Sequence, residues 1–131
     1  MNPTIRTITF DCVEDPYDTA LFWSRLLGRP LADDDKPGDP HASVIDPDGG
    51  PVLLFVQVPE AKAIKNRLHL DLGPAEGRTR AEEVERALDL GARHLGDHIR
   101  PDGGGWIVLA DPAGNEFCVE REAAAIPGGH P

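Results

Sequence analysis

Positive charge and aromatic side chains are both scarce in this chain. Its 131 residues include 13 Lys and Arg against 23 Asp and Glu, so the formal net charge is −10 at pH 7. A negative surplus of this size repels nucleic acid and anionic membranes, which argues against both as partners. The surplus serves solubility, and it also permits a cationic partner.

Cysteine and long apolar runs are scarce as well. With Cys12 and Cys118 as the only cysteines there is no disulfide framework, so we expect a reduced protein of the cytosol. No apolar run approaches the roughly twenty residues that span a bilayer. The first residues also lack the basic and apolar segments of a signal peptide. A chain of this length predicts one domain that buries roughly two thirds of its unfolded surface.

Nearly the same phrase occurs twice: the chain reads IDPDGGPVLLFV from residue 45 and ADPAGNEFCVE from residue 110. In each phrase, Asp, Pro and Gly predict a turn and the apolar residues after them predict a strand. The repeat suggests that a structural module was duplicated.

A helix is predicted before each phrase. The first has Asp15 as its N-cap, Pro at its first position and Gly28 as a left-handed stop. The second has a capping box of Thr79 and Glu82 and ends at Gly91. Its predicted apolar stripe consists of Val84, Ala87 and Leu88. From N-cap to repeated Asp-Pro turn the spacing is 31 residues in the first half and 32 in the second, so both halves keep one register.

Strands are predicted on both sides of each helix. RTITFDC and RLHLDL alternate in polarity before the helices, and Leu68, Leu70 and Leu72 of the second strand should face the helix. Three shorter strands follow each helix, around 30–32, 41–45 and 52–58, and then around 93–95, 106–110 and 116–120. Each half therefore reads βαβββ.

Two such modules with DP-x-G turns resemble the vicinal oxygen chelate superfamily, in particular its small glyoxalase-like and bleomycin-resistance-like branch. The most specific segments are FWSRLLG at 22–28, RLHLDL at 67–72 and WIVLADPAGNEFCV at 106–119. The resemblance implies an α+β fold in a single domain. It also implies two modules, about 5–58 and 66–121, whose curled mixed sheets surround a cleft, and a homodimer with a ligand or metal in that cleft. Residues 122–131 are predicted to be a flexible tail.

In metal-using members of the superfamily, the metal ligands come from four sequence positions, which we call stations. One station lies on the first strand and one on the last strand of each module. By this resemblance they fall on Ile8 or Thr9, near Leu53, on His69 and on Cys118. Aliphatic side chains cannot bind a metal, and a Thr hydroxyl is a poor substitute for imidazole or carboxylate. Because a catalytic ion usually needs about three protein ligands, we expect no metal and no cofactor, with His69 as the only credible ligand.

Polar residues line one face of each of the two strands that carry the last two stations. His69 and Asp71 share a face of RLHLDL, while Glu116 and Cys118 share a face of EFCVE, and we predict that these four residues bind a ligand. Asp71 either orients His69 or pairs with Arg67. Glu116 either forms an acid/base pair with His69 or stabilises a turn. Cys118 is either a small buried residue that packs in the core or a nucleophile.

Two of the seven aromatic residues are predicted to wall a ligand site. Phe55 shares its strand face with Leu53, and Trp106 begins the strand after GGG; core packing is the equal alternative for both. Phe22 and Trp23, in the first helix, are predicted to belong to the core.

Three functions remain open on the sequence. The first is a metal-free protein that binds or sequesters a small organic ligand. The most specific form of this hypothesis is a drug-resistance protein that binds a cationic drug. The second is a lyase, isomerase or dioxygenase that uses an incomplete metal site or His69 as an acid/base. The third is a fold kept for association with another protein. The resemblance predicts the fold far better than the chemistry.

Overall fold

The computed structural model describes residues 1–122, so the predicted tail lies outside the described residues apart from its first position. The described part of the chain divides into two compact units, one of residues 1–63 with 112–114 and one of residues 64–111 with 115–122. Neither described helix is long and apolar enough to cross a membrane.

The first unit contains one helix and a three-stranded mixed sheet. Its elements are β1 (Thr7–Cys12), α1 (Pro16–Leu27), β2 (His41–Val44) and β3 (Val52–Gln57). The strand order is β1-β3-β2, with β1 parallel and β2 antiparallel to β3. Helix α1 contacts β2 and β3, so one face of this sheet is covered by its own helix.

Local signals place α1 as the sequence predicts. The Asp15 side chain accepts a hydrogen bond from the backbone N–H of Tyr17, and Gly28 ends the helix with φ of 67°, a left-handed conformation that glycine adopts freely. Trp23 is buried on α1 and stacks on Phe10 of β1, with ring centroids 6.2 Å apart. The apolar face of β1 therefore points towards α1.

The second unit contains one helix and a four-stranded mixed sheet. Its elements are β4 (Leu70–Leu72), α2 (Arg80–Leu90), β5 (Arg93–Ile99), β6 (Gly105–Ala110) and β7 (Glu116–Glu120). The strand order is β4-β7-β6-β5, with β4 parallel to β7 and the other pairs antiparallel. The capping box of Thr79 and Glu82 is present, and α2 contacts β7. The α+β class and the tandem modules with mixed sheets are confirmed.

Three sequence predictions need correction. The strand predicted at 30–32 is a single bridge between Leu31 and Val44. Strand β4 spans three residues, because only these pair with β7, and Leu68 lies before it with 63% of its surface exposed rather than facing the helix. Leu88 is also exposed, since burial on α2 is confined to Val84 and Ala87.

Candidate functional site

The sheet of the second unit carries polar side chains on the face opposite its apolar core residues. Strands β6 and β7 alternate, and the buried core residues on one face are Ile107, Leu109, Phe117 and Val119. The pleat places the intervening side chains on the other face. We call this the polar face; it consists of Trp106, Val108, Glu116, Cys118 and Glu120 together with His69 and Asp71 of the neighbouring segment.

Three groups on the polar face lie within hydrogen-bonding reach of one another. The Nδ1 atom of His69 is 2.9 Å from Oδ1 of Asp71 and 3.8 Å from Sγ of Cys118. Asp71 and Cys118 are partners in the parallel β4–β7 ladder, which fixes their side chains next to each other. Of the two contacts considered for Asp71, the structure shows the one with His69.

Burial governs the chemistry of Cys118. Desolvation raises the pKa of this thiol to about 11, and the charge and hydrogen bond of Asp71 add to the effect. The thiol is therefore protonated at neutral pH, which makes it a poor nucleophile. A bound cation would reverse this preference, since a metal stabilises the thiolate directly.

Glu116 is tied to the segment that leads into β4. Its Oε2 accepts a hydrogen bond from the backbone N–H of Asn66 at 3.3 Å, and its own N–H donates to Oδ1 of Asn66 at 3.4 Å. This reciprocal pair is the bracing role considered for Glu116. It anchors the chain three residues before His69.

Trp106 forms an aromatic surface on the polar face. Its cross-strand partners are His98 and Glu120, and its ring stacks on the imidazole of His98 with centroids 5.1 Å apart and planes 15° apart. The indole is partly exposed. Sequence interpretation missed His98, although hairpin pairing across the GGG turn would have pointed to the residue opposite Trp106.

Phe55 lies in the core of the first unit. Its side chain is 0% exposed, and its ring stacks on Phe10 with centroids 5.2 Å apart. Phe10 faces α1, so Phe55 and its strand-face neighbour Leu53 also point to the helix side. Core packing, the alternative considered for Phe55, accounts for these contacts, and we do not include Phe55 in the candidate site.

The first unit carries a partial copy of the same polar cluster. Asp11 pairs with Val56 across β1 and β3, as Asp71 pairs with Cys118 across β4 and β7. Thr9 precedes Asp11 by two residues, which is the place that His69 has relative to Asp71. The duplicated positions thus read Thr, Asp and Val in the first unit and His, Asp and Cys in the second.

The cluster in the second unit has the composition of a metal site. Its ligand atoms, one from each residue, all lie within 4.8 Å of one another, and within residues 1–122 it is the one group of three or more such residues. Imidazole, carboxylate and thiolate together suit Zn²⁺ and similar ions. The donor set therefore fits the kind of metal that the superfamily resemblance implies, with Asp71 as a donor that the four stations did not include.

Comparison with known proteins identifies the domain type. The model of the glyoxalase-like domain matches residues 7–120. No curated protein matches the chain.

Solved structures share the fold at low sequence identity. A glyoxalase/bleomycin resistance protein/dioxygenase family enzyme from Burkholderia phytofirmans superposes with a TM-score of 0.67 at 16% identity, covering 90% of this chain and 98% of the other. Fosfomycin resistance protein FosX from Mesorhizobium loti has a TM-score of 0.66 at 15% identity, with coverage of 95% and 96%. Lactoylglutathione lyase from Agrobacterium tumefaciens has a TM-score of 0.60 at 18% identity, with coverage of 91% and 93%.

Proposed function

The chain belongs to the glyoxalase-like domain family of the vicinal oxygen chelate superfamily, and from this premise we propose that it binds a small organic ligand on the polar face of its second unit. The observation that carries the proposal is the partly exposed indole of Trp106, which shares this face with the hydrogen-bonded pair of His69 and Asp71. An aromatic surface with a few polar groups beside it is typical of small-molecule sites. These contacts bind the ligand without requiring a metal.

The charges of the polar face favour a cationic ligand. Asp71, Glu116 and Glu120 contribute carboxylates, and the indole of Trp106 attracts a cation through its π face. The net charge of −10 attracts a positively charged molecule over longer distances. The most specific form of this proposal is that the protein binds and sequesters a cationic drug. Apolar area and one or two polar contacts support affinities in the micromolar range, which corresponds to about −8 kcal/mol.

Named relatives support a range of chemistries on this fold. They include a fosfomycin resistance protein and a lactoylglutathione lyase, and at 15% and 18% identity they share the fold with this chain without defining its substrate. The proposal therefore rests on the polar face.

Proton transfer by His69 is a second candidate function, favoured by one contact. When Nδ1 donates its proton to Asp71 across 2.9 Å, Nε2 is left as the basic nitrogen, as in a general base oriented by a carboxylate. Such an enzyme would be a lyase or isomerase. Asp71→Asn would then lower turnover of the bound compound by a larger factor than it lowers the affinity for that compound.

A screen for ligand-dependent changes in melting temperature tests the binding function. The full chain, kept in excess EDTA so that metals are absent, is screened against cationic aromatic compounds and their neutral isosteres. Binding stabilises the folded state and raises the melting temperature, and Trp fluorescence reports contact with the indole. A cationic compound that shifts both signals supports the proposal. A screen in which no compound shifts the wild-type protein overturns it.

We also propose that the chain acts as a homodimer in the cytosol. The superfamily resemblance and the two free cysteines support these assignments. In its own sheet β5 is one of the two edge strands, and Leu95 and Ile99 on it are each 48% exposed. An exposed edge of this kind is suited to pairing with a second copy.

A further inference from the structure

We infer that His69, Asp71 and Cys118 form a metal site that lies wholly within the second module and takes a thiophilic divalent cation such as Zn²⁺. The inference does not require the organic ligand proposed above, although His69 and Asp71 belong to both sites. It revises the expectation that His69 is the only credible ligand.

The interatomic distances match a tetrahedral ion. With Zn–N near 2.0 Å and Zn–S near 2.3 Å, tetrahedral angles separate the nitrogen and sulfur ligands by roughly 3.5 Å and a nitrogen and oxygen by roughly 3.3 Å. The corresponding separations here are 3.8 Å from Nδ1 of His69 to Sγ of Cys118 and 2.9 Å from Nδ1 to Oδ1 of Asp71. For these two pairs, shifts of a few tenths of an ångström would give tetrahedral separations. The third pair, a carboxylate oxygen of Asp71 and Sγ of Cys118, lies within 4.8 Å.

The backbone holds two of the ligands in place. Asp71 and Cys118 are ladder partners in β4 and β7, so their spacing is set by the sheet. The reciprocal hydrogen bonds between Asn66 and Glu116 anchor the segment that carries His69. Sites built on strands hold their geometry better than sites built on loops.

Burial leaves a route for the ion. Cys118 is buried, whereas the side chains of His69 and Asp71 retain 22% and 31% of their exposure. The ion can therefore approach from the side of the imidazole and carboxylate. Three protein ligands leave a fourth position for water or another donor, as in catalytic zinc sites.

The donor types select the ion. A thiolate with an imidazole favours Zn²⁺, Co²⁺ and similar ions over Mg²⁺ and Ca²⁺, which prefer oxygen ligands. On binding, the S–H bond of Cys118 breaks, its proton passes to solvent and a metal–sulfur bond forms. His69 keeps its proton on Nε2 and offers the Nδ1 lone pair. The oxidation state of the ion does not change.

The first module supplies an internal comparison. Asp11 takes the place of Asp71 there, but its neighbours Thr9 and Val56 replace the imidazole and the thiol. The remaining carboxylate cannot hold the ion alone. The inference therefore predicts one bound ion for each chain, dependent on Asp71 and indifferent to Asp11.

Cobalt titration of the full chain after removal of metals by EDTA tests the site. Thiolate coordination produces a thiolate-to-cobalt charge-transfer band in the near ultraviolet. We expect this band to saturate at an equimolar amount of Co²⁺ and to disappear when Zn²⁺ displaces the Co²⁺. Native mass spectrometry should then show one Zn²⁺ per chain. Cys118→Ser should abolish the band, whereas Cys12→Ser, at the other buried free cysteine, should leave it intact.

A second pair of variants keeps the test decisive if Cys118→Ser fails to fold. Asp71→Asn should weaken Co²⁺ binding by at least about tenfold, while Asp11→Asn should have no effect. A wild-type protein with no charge-transfer band overturns the inference. Equal affinities in Asp71→Asn and Asp11→Asn also overturn it. The organic ligand is tested in EDTA, so either proposal can fail while the other stands.

Discussion

Asp71 lies opposite Cys118 in the parallel ladder of the second unit, just as Asp11 lies opposite Val56 in the first. The two units therefore share a carboxylate, Asp11 in the first and Asp71 in the second. They differ in the ladder partner of that carboxylate, which is Val56 in the first unit and Cys118 in the second. In the second unit this change puts a thiol and, through His69, an imidazole beside the carboxylate. The two units differ in chemistry because these few side chains differ on a repeated backbone.

Removing the aromatic surface should weaken the organic ligand. We predict that Trp106→Ala and His69→Ala each reduce affinity by about 1–3 kcal/mol, because each loses a direct contact with the ligand. Isothermal titration calorimetry in EDTA measures the change. Leu54→Ala, on a partly exposed strand position of the first unit, serves as the control and should bind as wild type does. Unchanged affinity in both site variants would refute the placement of the site.

Phe55 should affect stability and leave ligand contacts unaffected. We predict that Phe55→Ala lowers the free energy of unfolding by about 3–5 kcal/mol, because it leaves a cavity beside Phe10. Urea denaturation measures the loss. Phe55→Leu, which keeps most of the volume, should cost considerably less. A stable Phe55→Ala protein with impaired ligand binding would return Phe55 to the site.

Asp102, in the hairpin between β5 and β6, should have a pKa below the ordinary value for an aspartate. The backbone N–H of Gly104 donates to Asp102 at 2.8 Å, and with the positive charges of Arg100 and Arg121 it lowers the pKa of this carboxyl below 3.8. A lowered folded-state pKa means that the stabilisation is present above 3.8 and is lost as pH falls through the folded value. Carbon-detected NMR titration should show a midpoint below 3.8, and Arg100→Gln should raise it. A midpoint at or above 3.8 would contradict this account.

The chain should be dimeric at micromolar concentration. Light scattering should give twice the mass of one chain, and substitution of Leu95 and Ile99 by Lys should shift the mass towards the monomer, because lysine on an edge strand opposes pairing. Ile64→Lys, at an exposed position outside the strands, is the matched control and should remain dimeric. A wild-type protein that scatters as a monomer would exclude the dimer.

The sequence by itself determined the elements whose signals are local. Both helices could be placed from the sequence because their end signals act within a few residues. These signals are the N-cap Asp15, the capping box of Thr79 and Glu82, and the glycines at the helix ends. The repeated phrase and its spacing predicted two related modules. Alternation in β1 and β7 predicted which side chains share a face.

Tertiary structure decided the contacts between distant residues. Cys118 meets His69 because β7 lies parallel to β4, and the register of that ladder depends on the packing of the whole sheet. The alternation of polar and apolar residues was equally consistent with Phe55 lining a ligand site or packing in the core. The stacking of Phe55 on Phe10 shows that it packs in the core. Leu68 matched the alternating pattern, yet β4 begins after it, because a strand extends only as far as its partner offers hydrogen bonds.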